Sequence, residues 1–253
     1  MKKILQKILI LLLLIITINC APKTKSKYEG YNDQQLYDKA LQAMEKKKWE
    51  QARELLKYLI ENYYDSKLIM PAKLALADSY FKQGGIENYI VATQLYEEYL
   101  KFYPSSIQAD YAQYQIGLCY FHQINKPGRD QTNTMKTITS FNKLIENYPR
   151  SAYIQSAQEY IIKAYKNLNN HYLTIAKFYL KKKKWEPALN RLEEIIKTSP
   201  KESITAEIYY YYAETLEKAG RKEDSKMYYL LLQEKYPRSK YAIQSRKKIS
   251  QGS

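Results

Sequence analysis

The chain has 253 residues and a formal charge of +15, with 28 tyrosines but only 7 glycines and 8 prolines. Scarce glycine and proline beside abundant Lys, Leu, Ala and Glu exclude a fold of many short strands and turns and favour long helices. The basic balance suits acidic protein surfaces or anionic lipid headgroups, and equally the lysine-rich usage of an AT-rich genome; two cysteines cannot supply a disulfide framework.

Lys2, Lys3 and Lys7 open the chain, and an uninterrupted apolar run follows from Ile8 to Ile16. The run falls short of the roughly 20 residues that cross a bilayer and has the size of a signal-peptide core. Cys20 stands where cleavage is expected, so the segment resembles a bacterial lipoprotein signal. That resemblance implies a leader over 1–19, acylation of Cys20 and a lipid bilayer as partner. Thr17-Ile18-Asn19 departs from the usual Leu, small residue, and Gly or Ala, and no small-x-small site for ordinary secretion is present. Residues 20–33 read as the lipidated cysteine and a polar, flexible tether.

From Gln34 onward the chain repeats itself, and fixed-period self-similarity predicts a solenoid. The stretches Ala40 to Ala52 and Ala176 to Ala188 share two alanines and a tryptophan, Trp49 or Trp185, at one spacing. Generalising that frame yields five units, each opened by a small residue: Ala40, Ala77, Gly117, Ala176 and Ala213. Three positions earlier stands a large one: Tyr37, Leu74, Tyr114, Leu173 or Tyr210. A second slender residue follows, Ala52, Ala92, Thr137, Ala188 or Ser225, and eleven positions on come Tyr63, Tyr103, Tyr148, Ser199 and Tyr236. Proline succeeds the last four.

Large and small residues three or four apart share a helix face, and small residues let two helices cross closely. Proline stops the second helix of each unit, and Ser106, Ser151 and Ser239 are expected to cap the helix that follows. The fold expected is all-α: five tetratricopeptide-like helix-turn-helix repeats in an α-solenoid.

Departures from the period are informative. The two small residues lie 12 apart in units one, four and five, 15 apart in unit two and 20 apart in unit three. Gly84-Gly85 lengthens the second turn, and the stretch 125–133 lengthens the third. From helix stop to the next large residue the distance is 10 throughout, except 24 before Leu173. Fourteen extra residues make nearly four helical turns, which preserves the buried face. Residues 152–182 therefore read as one long first helix of repeat four, with a bend expected near Asn169-Asn170.

At this point the chain resembles the BamD family, outer-membrane lipoproteins of the β-barrel assembly machinery. The strings that carry the resemblance are Asn62-Tyr63, Tyr103-Pro104-Ser105, Arg129-Asp130 before Phe141, and Tyr148-Pro149-Arg150-Ser151-Ala152-Tyr153. Ala176-Lys177-Phe178-Tyr179 through Trp185, Ala188, Asn190 and Arg191 completes the set. Tyr63-Tyr64 and Ser199-Pro200 depart from the family's Tyr-Pro pattern.

The resemblance implies a non-enzymatic scaffold at the periplasmic face of the outer membrane, with two halves. Residues 34–151, repeats one to three, are implied to bind unfolded outer-membrane β-barrel proteins, with Tyr37, Trp49, Tyr63, Tyr80, Tyr99 and Tyr103 as candidate lining residues. Aromatic side chains give large contact area with few rotors to freeze. Each also has a second reading, packing between helices with the hydroxyl paired at the edge, and tyrosines at repeat spacing usually pack that way. Residues 152–248, repeats four and five, are implied to dock on the periplasmic domain of BamA beside other assembly-machinery lipoproteins. Asn190 and Arg191 are the candidates there; Arg191 could instead pair with Glu186 or Glu194. Arg129 and Asp130 join the partner-binding set, or pair with each other and brace their loop.

No phosphate loop, HExxH or nucleophile elbow occurs, so no cofactor or metal is expected. Cys119 and His122 share a helix face, but Cys119 reads as a buried small residue. The lysine runs 46–48 and 181–184 read as solvated turns, and the export signal argues against nucleic acid. Other repeat lipoproteins, such as a pilus-secretin scaffold or a peptidoglycan-synthase activator, are the competing functions.

Overall fold

The computed structural model describes residues 27–252, and every regular element among them is helical. The leader and Cys20 lie outside the described residues. Helices α1 (Asp33–Glu45) and α2 (Trp49–Asn62) form the first repeat, α3 (Ile69–Gln83) and α4 (Ile86–Phe102) the second. Helices α5 (Ala109–Phe121) and α6 (Thr132–Asn147) form the third, α7 (Ile154–Lys181) and α8 (Trp185–Thr198) the fourth. The fifth is α9 (Ala206–Lys218) with α10 (Lys222–Lys235), and α11 (Lys240–Gly252) packs against it. Each helix packs chiefly on its neighbours in sequence, the arrangement of a solenoid.

The small residues that define the period sit at the crossings. Ala40, Ala52, Ala77, Ala92, Thr137, Ala176, Ala188 and Ala213 are all fully buried. Gly117 marks the tightest crossing: a Cβ there would lie 2.4 Å from Cε1 of Phe141, itself fully buried on α6. Only a residue without a side chain lets α5 and α6 meet so closely.

The repeat corners share one geometry. Tyr63, Tyr103, Tyr148 and Tyr236 end their helices with φ of −124°, −131°, −129° and −134°. Each carbonyl accepts from the amide three residues on, at Ser66, Ser106, Ser151 and Ser239. That bond closes a turn in which proline suits the second position. Tyr63 adopts it with Tyr64 following, so the corner does not need the proline. The expectation that the serines cap the next helix is corrected here. Ser106 and Ser151 are turn residues, because α5 and α7 begin three residues later. Only Ser239 meets its following helix directly, accepting from the Ala242 amide at 3.1 Å.

Three corner tyrosines also close their own repeats. The Tyr63 hydroxyl donates to the Tyr31 carbonyl, Tyr148 to Pro104 at 3.3 Å and Tyr236 to Ile204 at 2.6 Å. Each acceptor lies just ahead of that repeat's first helix. Within repeats one, four and five the turn between helices contains one left-handed residue: Lys47 at φ 55°, Lys183 at φ 56° and Gly220 at φ 85°. The lysine runs are exposed, as expected for turns.

The two largest departures from the period turn out to be one device. Helix α7 runs unbroken through Asn169 and Asn170. Its added turns hold the long loop of repeat three. Asn167 donates to the Asn125 carbonyl at 3.0 Å and to Gln131 Oε1 at 2.6 Å, and His171 Nδ1 lies 2.6 Å from the Pro127 carbonyl. Between those two, buried Asn169 accepts from Ser199 at 2.7 Å and donates to Ser203 Oγ at 3.0 Å. The serine that stands at the repeat-four corner thus bonds the long helix of its own repeat. A short 3₁₀ turn, Lys201–Ser203, follows.

Candidate functional site

The six candidate aromatic residues lie on both helices of repeats one and two, Tyr37 and Tyr80 on the first helices and the other four on or at the end of the second. Tyr37 on α1, Trp49 at the start of α2 and Tyr80 on α3 are half-buried and pack on the core of repeat one. Burial first, and then nearby Asp78, push the Tyr37 phenol above its ordinary pKa, so it is a neutral donor at physiological pH. Tyr103 is also half-buried, its ring 5.3 Å from Tyr99. These four keep accessible surface for a partner.

One other does not. Tyr99 is fully buried and its hydroxyl lies 3.0 Å from Ser106 Oγ; it is a core residue, and its assignment to a groove is withdrawn. Tyr63 packs in the first core cluster with its hydroxyl engaged by Tyr31. Its polar end serves repeat closure, while its ring is half-buried like those of Tyr37 and Tyr103. The alternation of core and surface within one helix was not readable for these residues, because tyrosine suits both.

Two charged residues missed in the sequence lie among the aromatic ones. Arg53 on α2 is only 6% exposed. Its guanidinium stacks on Tyr80 at 4.4 Å and donates to Gln83 Oε1 at 2.6 Å and Glu50 at 2.8 Å. A buried guanidinium needs such partners, and here they tie repeat one to repeat two. Asp78 on α3 accepts from the hydroxyls of Tyr96 at 2.5 Å and Tyr111 at 3.0 Å, joining repeats two and three. Desolvation raises its carboxyl pKa, opposed by those two hydrogen bonds. A signal did exist: Arg53 follows Ala52 and Asp78 follows Ala77, one position past a buried crossing residue. Lys177 after Ala176 obeys the same rule, pairing with Glu207 and lying 4.6 Å over the Tyr211 ring.

In the C-terminal half, Asn190 and Arg191 are exposed on α8. The Arg191 guanidinium makes no ion pair with any described carboxylate, Glu186 and Glu194 included. Its neighbour Glu193 is engaged by Lys197 at 2.9 Å and by Arg221 at 2.8 Å, which hold its carboxyl below the usual range, the Lys197 bond most strongly. Arg129 and Asp130 are exposed in the repeat-three loop but do not pair. The Asp130 carboxylate instead accepts from the Thr132 amide at 3.0 Å and hydroxyl at 2.9 Å, opening α6. A loop carboxylate two residues before a helix finds backbone amides nearer than a mobile guanidinium.

Cys119 is fully buried, and burial pushes its thiol pKa up to about 12. His122 stacks on Tyr89 at 4.9 Å. No group of three or more metal-ligating side chains occurs among the described residues.

The sequence model of the family described as "YfiO: Outer membrane lipoprotein" matches residues 30–231. The outer membrane protein assembly factor BamD of Rickettsia prowazekii is 27% identical over 206 residues, 81% of either chain. That of Haemophilus influenzae is 26% identical, covering 87% of this chain and 86% of its own. The BamD of Helicobacter pylori is 28% identical, covering 76% and 86%. Among solved structures, the yeast Sti1 TPR2AB domain in complex with pHSP90 gives a TM-score of 0.42 at 17% identity, covering 83% of this chain and 80% of that one. Those relatives are named as outer membrane protein assembly factors. With repeats one to four and most of repeat five inside the matched span, the chain belongs to the YfiO family of outer membrane lipoproteins, the BamD assembly factors among its kind.

Proposed function

We propose that the protein is tethered by an acylated Cys20 at the periplasmic face of the outer membrane, where it helps β-barrel proteins to fold and insert. Repeats one to three, residues 34–151, receive the unfolded barrel polypeptide through the half-buried Tyr37, Trp49, Tyr63, Tyr80 and Tyr103. Repeats four and five, residues 152–248, dock on the periplasmic domain of BamA, with other assembly lipoproteins as further partners. A solenoid suits this division, because each repeat contacts only its neighbours and leaves a long continuous surface.

The observation that carries the docking half is Arg191, exposed on α8 without a described carboxylate partner while the acid beside it is already engaged. A free guanidinium can take a partner carboxylate in a bidentate grip that lysine cannot reproduce. Arg191→Glu should abolish co-purification with BamA while leaving circular dichroism and melting unchanged. Undiminished co-purification sinks the docking assignment. Depletion of the protein should cause general loss of β-barrel proteins from the outer membrane; selective loss of pili, or a cell-wall defect, supports the rival scaffolds instead.

A further inference from the structure

A cleft of about 620 Å³ opens between residues 27–31, the last turns of α1 and the first two turns of α2. None of the aromatic residues of the substrate face lines it. Its walls carry four lysines, Lys27, Lys39, Lys46 and Lys48, against two carboxylates, Glu50 and Glu54. Both acids are already engaged. Glu54 accepts from Lys27 and, at 2.7 Å, from the Tyr28 hydroxyl, while Glu50 holds the buried Arg53. Lys39, Lys46 and Lys48 make no ion pair with a described carboxylate, and the Lys39 ammonium rests 4.9 Å over the Tyr31 ring. The first turn of α2 has no side-chain cap, so its open amides add to the positive field.

We propose that this cleft takes the headgroup of an anionic glycerophospholipid from the leaflet that holds the acyl chains. The inference rests on acylation of Cys20. Lys27 is the seventh residue after that cysteine, and seven residues span at most about 25 Å even fully extended. The cleft is thus confined near the membrane, where lysines meet anionic headgroups at high local concentration. A compact ammonium on a flexible stem suits phosphate as a point charge. Headgroup binding fixes which side of repeat one faces the bilayer, and so orients the whole rigid array beneath it.

The test uses the mature chain with Cys20→Ser, so that no acyl chain contributes, and vesicles of phosphatidylcholine with or without phosphatidylglycerol. Binding is expected only with phosphatidylglycerol, weakening as salt rises. Lys39→Glu/Lys46→Glu/Lys48→Glu should lose about tenfold or more. The matched triple Lys181→Glu/Lys182→Glu/Lys184→Glu, with the same net charge, should lose far less. If the cleft triple melts early, Lys46→Gln/Lys48→Gln replaces it with the same expected direction. Equal losses in both triples overturn the inference, since binding then follows net charge alone. So does a parent chain that ignores these vesicles, or one that prefers a pentaglutamate peptide, which makes the occupant an acidic protein. Mass analysis of the N-terminus from membranes separates the two readings. An unmodified Cys20 with retained vesicle binding removes the anchor alone, and an acylated Cys20 with no cleft-dependent binding removes this inference alone.

Discussion

The tyrosines of this protein show why residue type alone does not assign a role. Tyr96 and Tyr99 are fully buried, Tyr37 and Tyr80 half-buried, and Tyr64 is 80% exposed. Tyrosine is apolar in body and polar at its tip, so it packs wherever one hydroxyl partner can be reached. Glycine is less ambiguous. Gly117→Ala should destabilise by about 1–3 kcal/mol in urea unfolding, because its Cβ meets a buried ring that cannot shift. Gly128→Ala, with nothing within 4 Å, should stay within about 0.5 kcal/mol of the parent. The Asp78 carboxyl behaves in the opposite sense to most carboxylates. Its folded-state pKa is raised above the ordinary value, first by desolvation, so the fold binds a proton that the unfolded chain has released. Stability therefore falls as pH rises from the ordinary carboxylate range through the raised value. Asp78→Asn, which keeps an oxygen to accept from Tyr96 and Tyr111, should flatten that part of the profile of melting temperature against pH. An unchanged slope removes Asp78 as its source.

At the scale of the element, boundaries and lengths were legible because they follow from periodicity and from where the backbone must stop. The long helix expected over 152–182 is α7, Ile154–Lys181. Its reason for being long was not legible. The loop of repeat three and the added turns of α7 are about forty residues apart in sequence, and only their contact through Asn167 and His171 reveals one device. Asn167→Ala should free the loop without unwinding the helix. Trypsin should then cut at Arg129 sooner while helical content holds, and an unchanged cutting rate would show that the loop stands without α7. The turns inside the repeats carry the opposite lesson. Lys47 and Lys183 occupy left-handed conformations that glycine takes more readily, and repeat five does place Gly220 there. A lysine run advertises a solvated turn but not its backbone hand.

At the scale of the whole molecule, the array is held by nearest-neighbour contacts, and its ends need covering. Helix α11 covers the fifth repeat with Ala242 and Ser245, both fully buried. A chain ended after Arg238 should lose hydrogen-exchange protection in α9 and α10 while α1 to α4 keep theirs, as nearest-neighbour coupling requires; uniform loss would instead mark a single cooperative core. The sequence by itself determined the helical class, the five-fold repeat, the corners and the elongated helix, because small residues at crossings and prolines at stops act locally and recur. Tertiary structure alone decided which tyrosines are core, how Arg53 and Asp78 tie successive repeats, and that Asp130 serves its own helix rather than Arg129. Those outcomes depend on which groups meet across thirty or forty residues of chain. A buried charge or hydroxyl takes whichever partner the packing brings within hydrogen-bond reach, and periodicity does not encode that choice.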